Sequence, residues 1–197
     1  MKSKTVMEIF EDSSLLILES GRQNFKAIEK IAHTIISCFN KGGKLLIFGN
    51  GGSASQAQHF AAELVNKFFT YRKALPAIAL TADTSNLTSI GNDLDFSEIF
   101  SRQIEALGKK KDIAWGLSTS GRSPNVLKAF KAAKKAGLLT ISFTGGERTE
   151  LSMLSDIALT VPSKNTARIQ EVHLCSGHSV CELVEAHFLN KICIHRR

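Results

Sequence analysis

The sequence predicts an α/β chain folded as a three-layer sandwich: a five-stranded parallel sheet flanked by helices, flavodoxin-like in plan. Three observations carry this. Five short apolar runs rich in β-branched residues recur along the chain, and none alternates apolar with polar as a strand with one wet face must, so each reads as a strand buried on both sides. Helix-period segments separate the runs, which gives βαβ crossovers and hence a parallel sheet. The 197 residues are 43% hydrophobic, enough for one self-sufficient core, and without linker, repeat or low-complexity segment they read as a single domain over 1–197.

Taken in order, residues 5–40 place Ile9, Leu15, Ile17, Leu18, Ile28, Ile31, Ile35 and Ile36 at helical spacing. This N-terminal segment, 1–40, is expected to pack on the sheet or in an oligomer. The strands are 44-KLLIFG, 76-PAIAL, 112-DIAWGLS, 138-LLTISF and 156-DIALTV. Helical patterns fill 53–70, 96–108 and 123–136. The last puts Lys128, Lys131, Lys134 and Lys135 on its wet side and Val126, Phe130 and Ala133 on the other. Residues 166–191 read as one long closing helix, and Trp115 within the third strand reads as core or sheet-edge packing.

Composition narrows the classes of function. The N-terminus meets acidic residues before any apolar run, and no segment reaches the length of a membrane span, so export and membrane insertion are not expected. Cys38, Cys175, Cys181 and Cys193 form no CxxC pair, which fits packed, reduced thiols in a cytoplasm. The net charge is +7, but Lys and Arg are scattered over amphipathic segments rather than gathered as a nucleic-acid footprint. A general positive potential also attracts anionic metabolites.

In a parallel sheet of this kind ligands bind at the carboxyl ends of the strands, near a topological switch point. The loops to read are therefore 49-GNGGSAS, 81-TADTSN, 118-STSGRSPN, 144-TGGERTE and 162-PSKNTAR. In the first, glycines permit positive φ and let backbone N–H groups converge on an anion at a helix start; a plain strand-to-helix turn needs the same residues. The third tips the balance, because Ser118, Thr119, Ser120 and Ser123 offer hydroxyl donors at a second helix start. Two such loops point to a sugar phosphate rather than a dinucleotide.

His59 and Glu63 share a helix face, one turn apart, either as an ordinary surface pair or as ligands. Gln170, Leu174 and His178 follow one i±4 row of the closing helix, with Gln170 and His178 about 12 Å apart along the axis. That spacing permits a shared ion midway, and N and O donors of this kind suit zinc. His33, His187 and His195 read as surface or boundary residues, and His173 points elsewhere on the helix.

The stretches 49-GNGGSASQAQHFAAEL-64, 91-GNDLDFSEIFSRQIEALG-108, 118-STSGRSPNV-126 and 166-TARIQEVH-173, with His178 beyond, together resemble the sugar isomerase (SIS) domain proteins. Within them the chain resembles the bacterial phosphoheptose isomerases, over nearly its whole length. The resemblance implies conversion of sedoheptulose 7-phosphate to D-glycero-D-manno-heptose 7-phosphate for lipopolysaccharide or another surface glycan. It also implies a homotetramer with active sites between subunits and one Zn2+ per subunit. Substrate contacts carry over to Asn50, Gly51, Gly52, Glu63, Asn92, Asp93, Ser118, Thr119, Ser120, Ser123 and Gln170. Zinc falls to His59, Glu63, Gln170 and His178, with Glu63 as catalytic base and His178 as acid. Two positions depart: many members have Asp where this chain has Gln56, and some where it has Ala167, so a contact through either carboxylate has no counterpart here.

Two other classes compete. SIS relatives that bind the bacterial replication initiator keep the fold without known isomerisation, but lack the pair corresponding to Glu63 and His178. A sugar-phosphate sensor for transcription would need a DNA-binding segment, and residues 1–40 show no helix-turn-helix with a basic recognition helix.

Overall fold

Every residue of β1 (Leu45–Gly49) and β3 (Ile113–Ser118) is buried, which is why these runs lack alternation: both faces of the sheet are covered. The computed structural model describes residues 4–146 and 148–194, with side chains through Leu189; His195 and the side chain of Cys193 lie outside the described residues. With β2 (Ala77–Ala79), β4 (Leu139–Gly145) and β5 (Ile157–Val161) the strands form one parallel sheet in the order β2-β1-β3-β4-β5. That is the flavodoxin-like order, with its switch point between β1 and β3.

Two apolar clusters make the outer layers. Leu45 and Ile47 face one cluster, built with Ile31 and Ile35 of α1 (Val6–Asn40), Phe60 and Leu64 of α2 (Gly52–Val65) and Val180 and Val184 of α7 (Thr166–Ile194). Leu46 and Phe48 face the other, with α4 (Ser101–Leu107), α5 (Pro124–Lys135) and α6 (Glu150–Leu154). Trp115, on the central strand, stacks on Phe60 with centroids 5.3 Å apart and planes 12° from parallel. α7 approaches that stack closely because residue 177 is glycine: a Cβ there would lie 2.1 Å from the Phe60 ring.

α1 starts at a capping box, in which Thr5 Oγ1 accepts from the Glu8 N–H (3.2 Å) and Glu8 accepts from the Thr5 N–H (2.6 Å). Its second half is buried against the sheet and α7, and Asn24 donates to the Thr160 carbonyl (3.0 Å), satisfying part of the otherwise open edge of β5. The first half is different. Val6, Met7, Phe10 and Leu15 are each more than 60% exposed, apolar residues that this chain leaves uncovered.

Four element boundaries differ from expectation. Helix 53–70 ends at Val65, where Arg72 caps the carbonyls of Glu63 and Leu64 (both 2.7 Å). Segment 96–108 divides into a 3-10 turn at Phe96–Glu98, capped by Asp95, and α4. β2 keeps only three residues because it is an edge strand paired on one side. The loop 81-TADTSN leads directly into α3 (Thr84–Asp93), which has an Asp83 N-cap and no fully buried residue; only Leu87 and Ile90, half-buried against the second cluster, mark its apolar side, too few to read as a helical period.

Candidate functional site

The switch point between β1 and β3 brings two loops together. After β1, Gly51 takes φ 54°, the left-handed conformation expected of that loop, and caps α2 without a side chain. After β3, Ser118 Oγ lies 3.0 Å from Ser123 Oγ and 3.4 Å from Ser120 Oγ at the head of α5. Ser123 is the N-cap of α5 yet makes no capping bond with its side chain, so its hydroxyl is turned into this cluster. Three hydroxyls at a helix start can donate to an anion. Asn50 and Asn125 join the two loops by reciprocal amide bonds of 2.9 and 2.8 Å, so the Asn50 side chain acts first as a clamp.

Next to the hydroxyl loop, a cavity of about 460 Å3 is lined by Thr119, Ser120, Arg122, Arg148 and Lys164. These three cations come from the loops after β3, β4 and β5. The topology points to those loops, but a lone Arg or Lys in a short loop carries no spacing signal; only the parallel sheet places them on one rim.

The second centre lies between α2 and α7. His59 Nε2 is 2.7 Å from His178 Nε2 and 3.5 Å from Glu63 Oε1, and one ligand atom from each residue lies within 4.8 Å of the others. At this separation one imidazole donates its N–H to the other ring's nitrogen, the roles set by their tautomers. The donor set of two histidines and a carboxylate fits a divalent metal with an open coordination position. Burial lowers the His178 pKa, the neighbouring His59 lowers it further, and Glu63 opposes both.

Gln170 lies against the start of α2. A Cβ at residue 52 would fall 2.6 Å from its amide nitrogen, so the Gln170 head lies directly over Gly52 at the start of α2. Gln56 holds it there, donating to the Gln170 carbonyl (2.6 Å), a bond that an ionised Asp at that position could not donate. Ala167 is exposed in the first turn of α7, its N–H held by the Asn165 side chain (3.1 Å). Asn92 and Asp93 are exposed at the end of α3, bonded to each other (2.8 Å); among the described residues neither bonds to the other site residues.

Of the remaining histidines, His33 is exposed and His187 half-buried, as read from the sequence. His173 is fully buried beside Phe143, ring centroids 5.6 Å apart, and burial brings its pKa down to about 4. Cys38, Cys175 and Cys181 are free thiols, and burial pushes Cys38 and Cys181 up to about 12, which leaves them unreactive.

Residues 10–145 match the family described as the SIS domain. The phosphoheptose isomerase of Thermodesulfovibrio yellowstonii is 49% identical over 180 residues, 91% of this chain and 90% of that protein. Among solved structures, the phosphoheptose isomerase of Francisella tularensis is 40% identical with a TM-score of 0.89, covering 92% of this chain and 96% of that one. That of Neisseria gonorrhoeae is 39% identical with a TM-score of 0.87, covering 92% and 97%.

Proposed function

We propose that this chain, which belongs to the SIS domain family and within it to the phosphoheptose isomerases, converts sedoheptulose 7-phosphate to D-glycero-D-manno-heptose 7-phosphate. The product would feed the heptose of lipopolysaccharide or another surface glycan, in the cytoplasm; among the described residues no helix is long and apolar enough to cross a membrane. One observation carries the reading. Glu63 meets His59 and His178 across facing turns of α2 and α7, beside a hydroxyl loop at a helix start. A binding protein of the replication-initiator-associated type has no use for that constellation.

The ketose holds its carbonyl at C2 and a hydroxyl at C1. Glu63 removes a proton from C1 while His178 gives one to the C2 oxygen, producing an enediol. His178 then takes the C1 hydroxyl proton as Glu63 returns its proton to C2, leaving an aldehyde at C1. Burial beside His59 loosens the His178 proton, which suits a donor. His59, Glu63 and His178, with Gln170, would hold one Zn2+, which when bound would polarise the substrate oxygens; a His178 nitrogen that coordinates the ion carries no proton, so either the ion releases that ligand during turnover or it acts mainly as a Lewis acid that orients the site. Glu63 serves both roles because a carboxylate has two oxygens, one for the cation and one for the carbon.

Ser118, Thr119, Ser120 and Ser123 take the phosphate, with Asn50, Gly51, Gly52 and Gln170 along the sugar. Each lost hydrogen bond to the charged group is expected to weaken substrate binding by about 1.5–3 kcal/mol. Ser120→Ala and Ser123→Ala should therefore raise KM; unchanged KM and kcat in both would remove the loop from the site.

The uncovered apolar residues Val6, Met7, Phe10 and Leu15 on α1, and the exposed end of α3 carrying Asn92 and Asp93, support a homotetramer with active sites between subunits. Sedimentation at micromolar concentration tests it, and a stable, active monomer would refute it. The function itself is tested by incubating the purified protein with sedoheptulose 7-phosphate and looking for the aldose. No aldose from folded, zinc-supplied protein, together with capture of the initiator, would replace this reading with the binding one.

A further inference from the structure

The segment that follows α2, residues 66–72, is held by one buried carboxylate. Glu185, two turns beyond His178 on α7, accepts from the backbone N–H groups of Phe68 (2.8 Å), Phe69 (2.7 Å) and Thr70 (2.9 Å). These bonds keep it ionised against the burial that opposes its charge. Arg72 completes the arrangement: its Nε lies 3.1 Å from Glu185 Oε2, and the two side chains are 0% and 3% exposed. The guanidinium also donates to the carbonyls of Leu64 and Glu63, at 2.7 Å each.

One end of this ion pair therefore grips the backbone of Glu63, and the other sits on the helix that carries His178. A third link is direct. Phe68, whose N–H Glu185 holds, lays its ring against the His178 imidazole, centroids 5.5 Å apart. Stability alone does not account for such a pair, because well-packed apolar residues often replace a buried ion pair without loss. What they could not supply is three backbone bonds into Glu185 on α7 and two from Arg72 to the last carbonyls of α2, joined by the charge attraction between the two side chains.

We propose that Arg72 and Glu185 are positioning residues, whose ion pair sets the separation of α2 and α7 at which His59, Glu63 and His178 converge on one cation and one substrate. The inference rests on the reading of that cluster as a zinc-dependent isomerase centre. In this role the pair acts through the backbone of Glu63 and the ring of Phe68, without touching substrate.

The test uses protein stripped by a chelator, titrated with Zn2+ against a chromophoric competitor, alongside kcat and KM of the reloaded enzyme. Glu185→Gln keeps the volume and removes the charge. The Zn2+ Kd should rise and kcat fall, each by about 10–100-fold, as for outer partners of a metal ligand. KM should stay within about two-fold, since the hydroxyl loop is untouched. A folded Glu185→Gln protein with wild-type Kd and kcat overturns the proposal and leaves the pair as a loop anchor only. If that variant does not fold, Arg72→Lys, which keeps the cation but loses the fork, takes its place: the same rise in Kd and fall in kcat support the proposal, and wild-type values overturn it. Wild-type protein that binds no Zn2+ sinks the reading of the cluster and this proposal together; wild-type binding matched by the variants sinks the proposal alone.

Discussion

Glu63→Gln is expected to keep the fold and bind the sugar phosphate, yet to lose isomerisation by ~10²–10⁴, the usual worth of a positioned base. The reason lies in its place on α2. Glu63 is partly buried, its backbone carbonyl is fixed by Arg72, and its carboxylate faces His59. The substitution keeps shape and one acceptor oxygen but removes the proton acceptor. In deuterated water the variant should no longer exchange the hydrogen at the carbon next to the substrate carbonyl, and proton NMR of the recovered sugar reads this directly. Near-normal exchange in Glu63→Gln, with exchange abolished in His59→Ala or by chelation, would transfer the chemistry to the metal and another group.

His173 carries the second large effect, on stability. Its folded pKa of about 4 lies below the ordinary value of 6.5, so between those values the unfolded chain binds a proton that the folded chain refuses. Stability is then complete above pH 6.5 and falls as pH drops toward 4. The depression corresponds to about 3 kcal/mol in full, with about 2 kcal/mol already lost at pH 5. Urea unfolding of wild type and His173→Leu at pH 7.5, 6 and 5 measures it. Both proteins release any bound metal in acid, so the difference between their pH slopes isolates the imidazole. Parallel slopes would mean that His173 is protonated in the fold.

What could be read in the sequence follows from what a side-chain period can encode. β1, β3 and β4 were legible because burial on both faces leaves uninterrupted apolar runs; the edge strands β2 and β5 carry the same kind of run although one side of each is partly exposed. α5 was legible because its lysines and core residues separate by 3.6. α3 was not legible, since its apolar side consists of Leu87 and Ile90 alone, too short a pattern to show a period. The pairing of His59 with Glu63 is local and visible; that His178 comes within 2.7 Å of His59 depends on how α7 crosses α2, which the Gly177 contact with Phe60 sets. Arg72, Glu185, Arg148 and Lys164 were silent for the same reason. Arg72 and Glu185 pair with each other from elements far apart in sequence, Arg148 and Lys164 meet only on the rim that the sheet builds, and a single charged residue has no spacing that would announce it.

The contact of α1 with α7 also governs when this protein becomes itself during synthesis. The first helix packs on the last, so its buried face waits for nearly the whole chain to emerge, and the closure spans well over a hundred residues. The hydroxyl loop and its Asn50–Asn125 clamp belong to the part translated earlier and can form without α7. His178, Glu185 and the seat of Gln170 cannot. A ribosome-bound nascent chain would therefore present the hydroxyl loop before the cluster of His59, Glu63 and His178, which is completed from the carboxyl end.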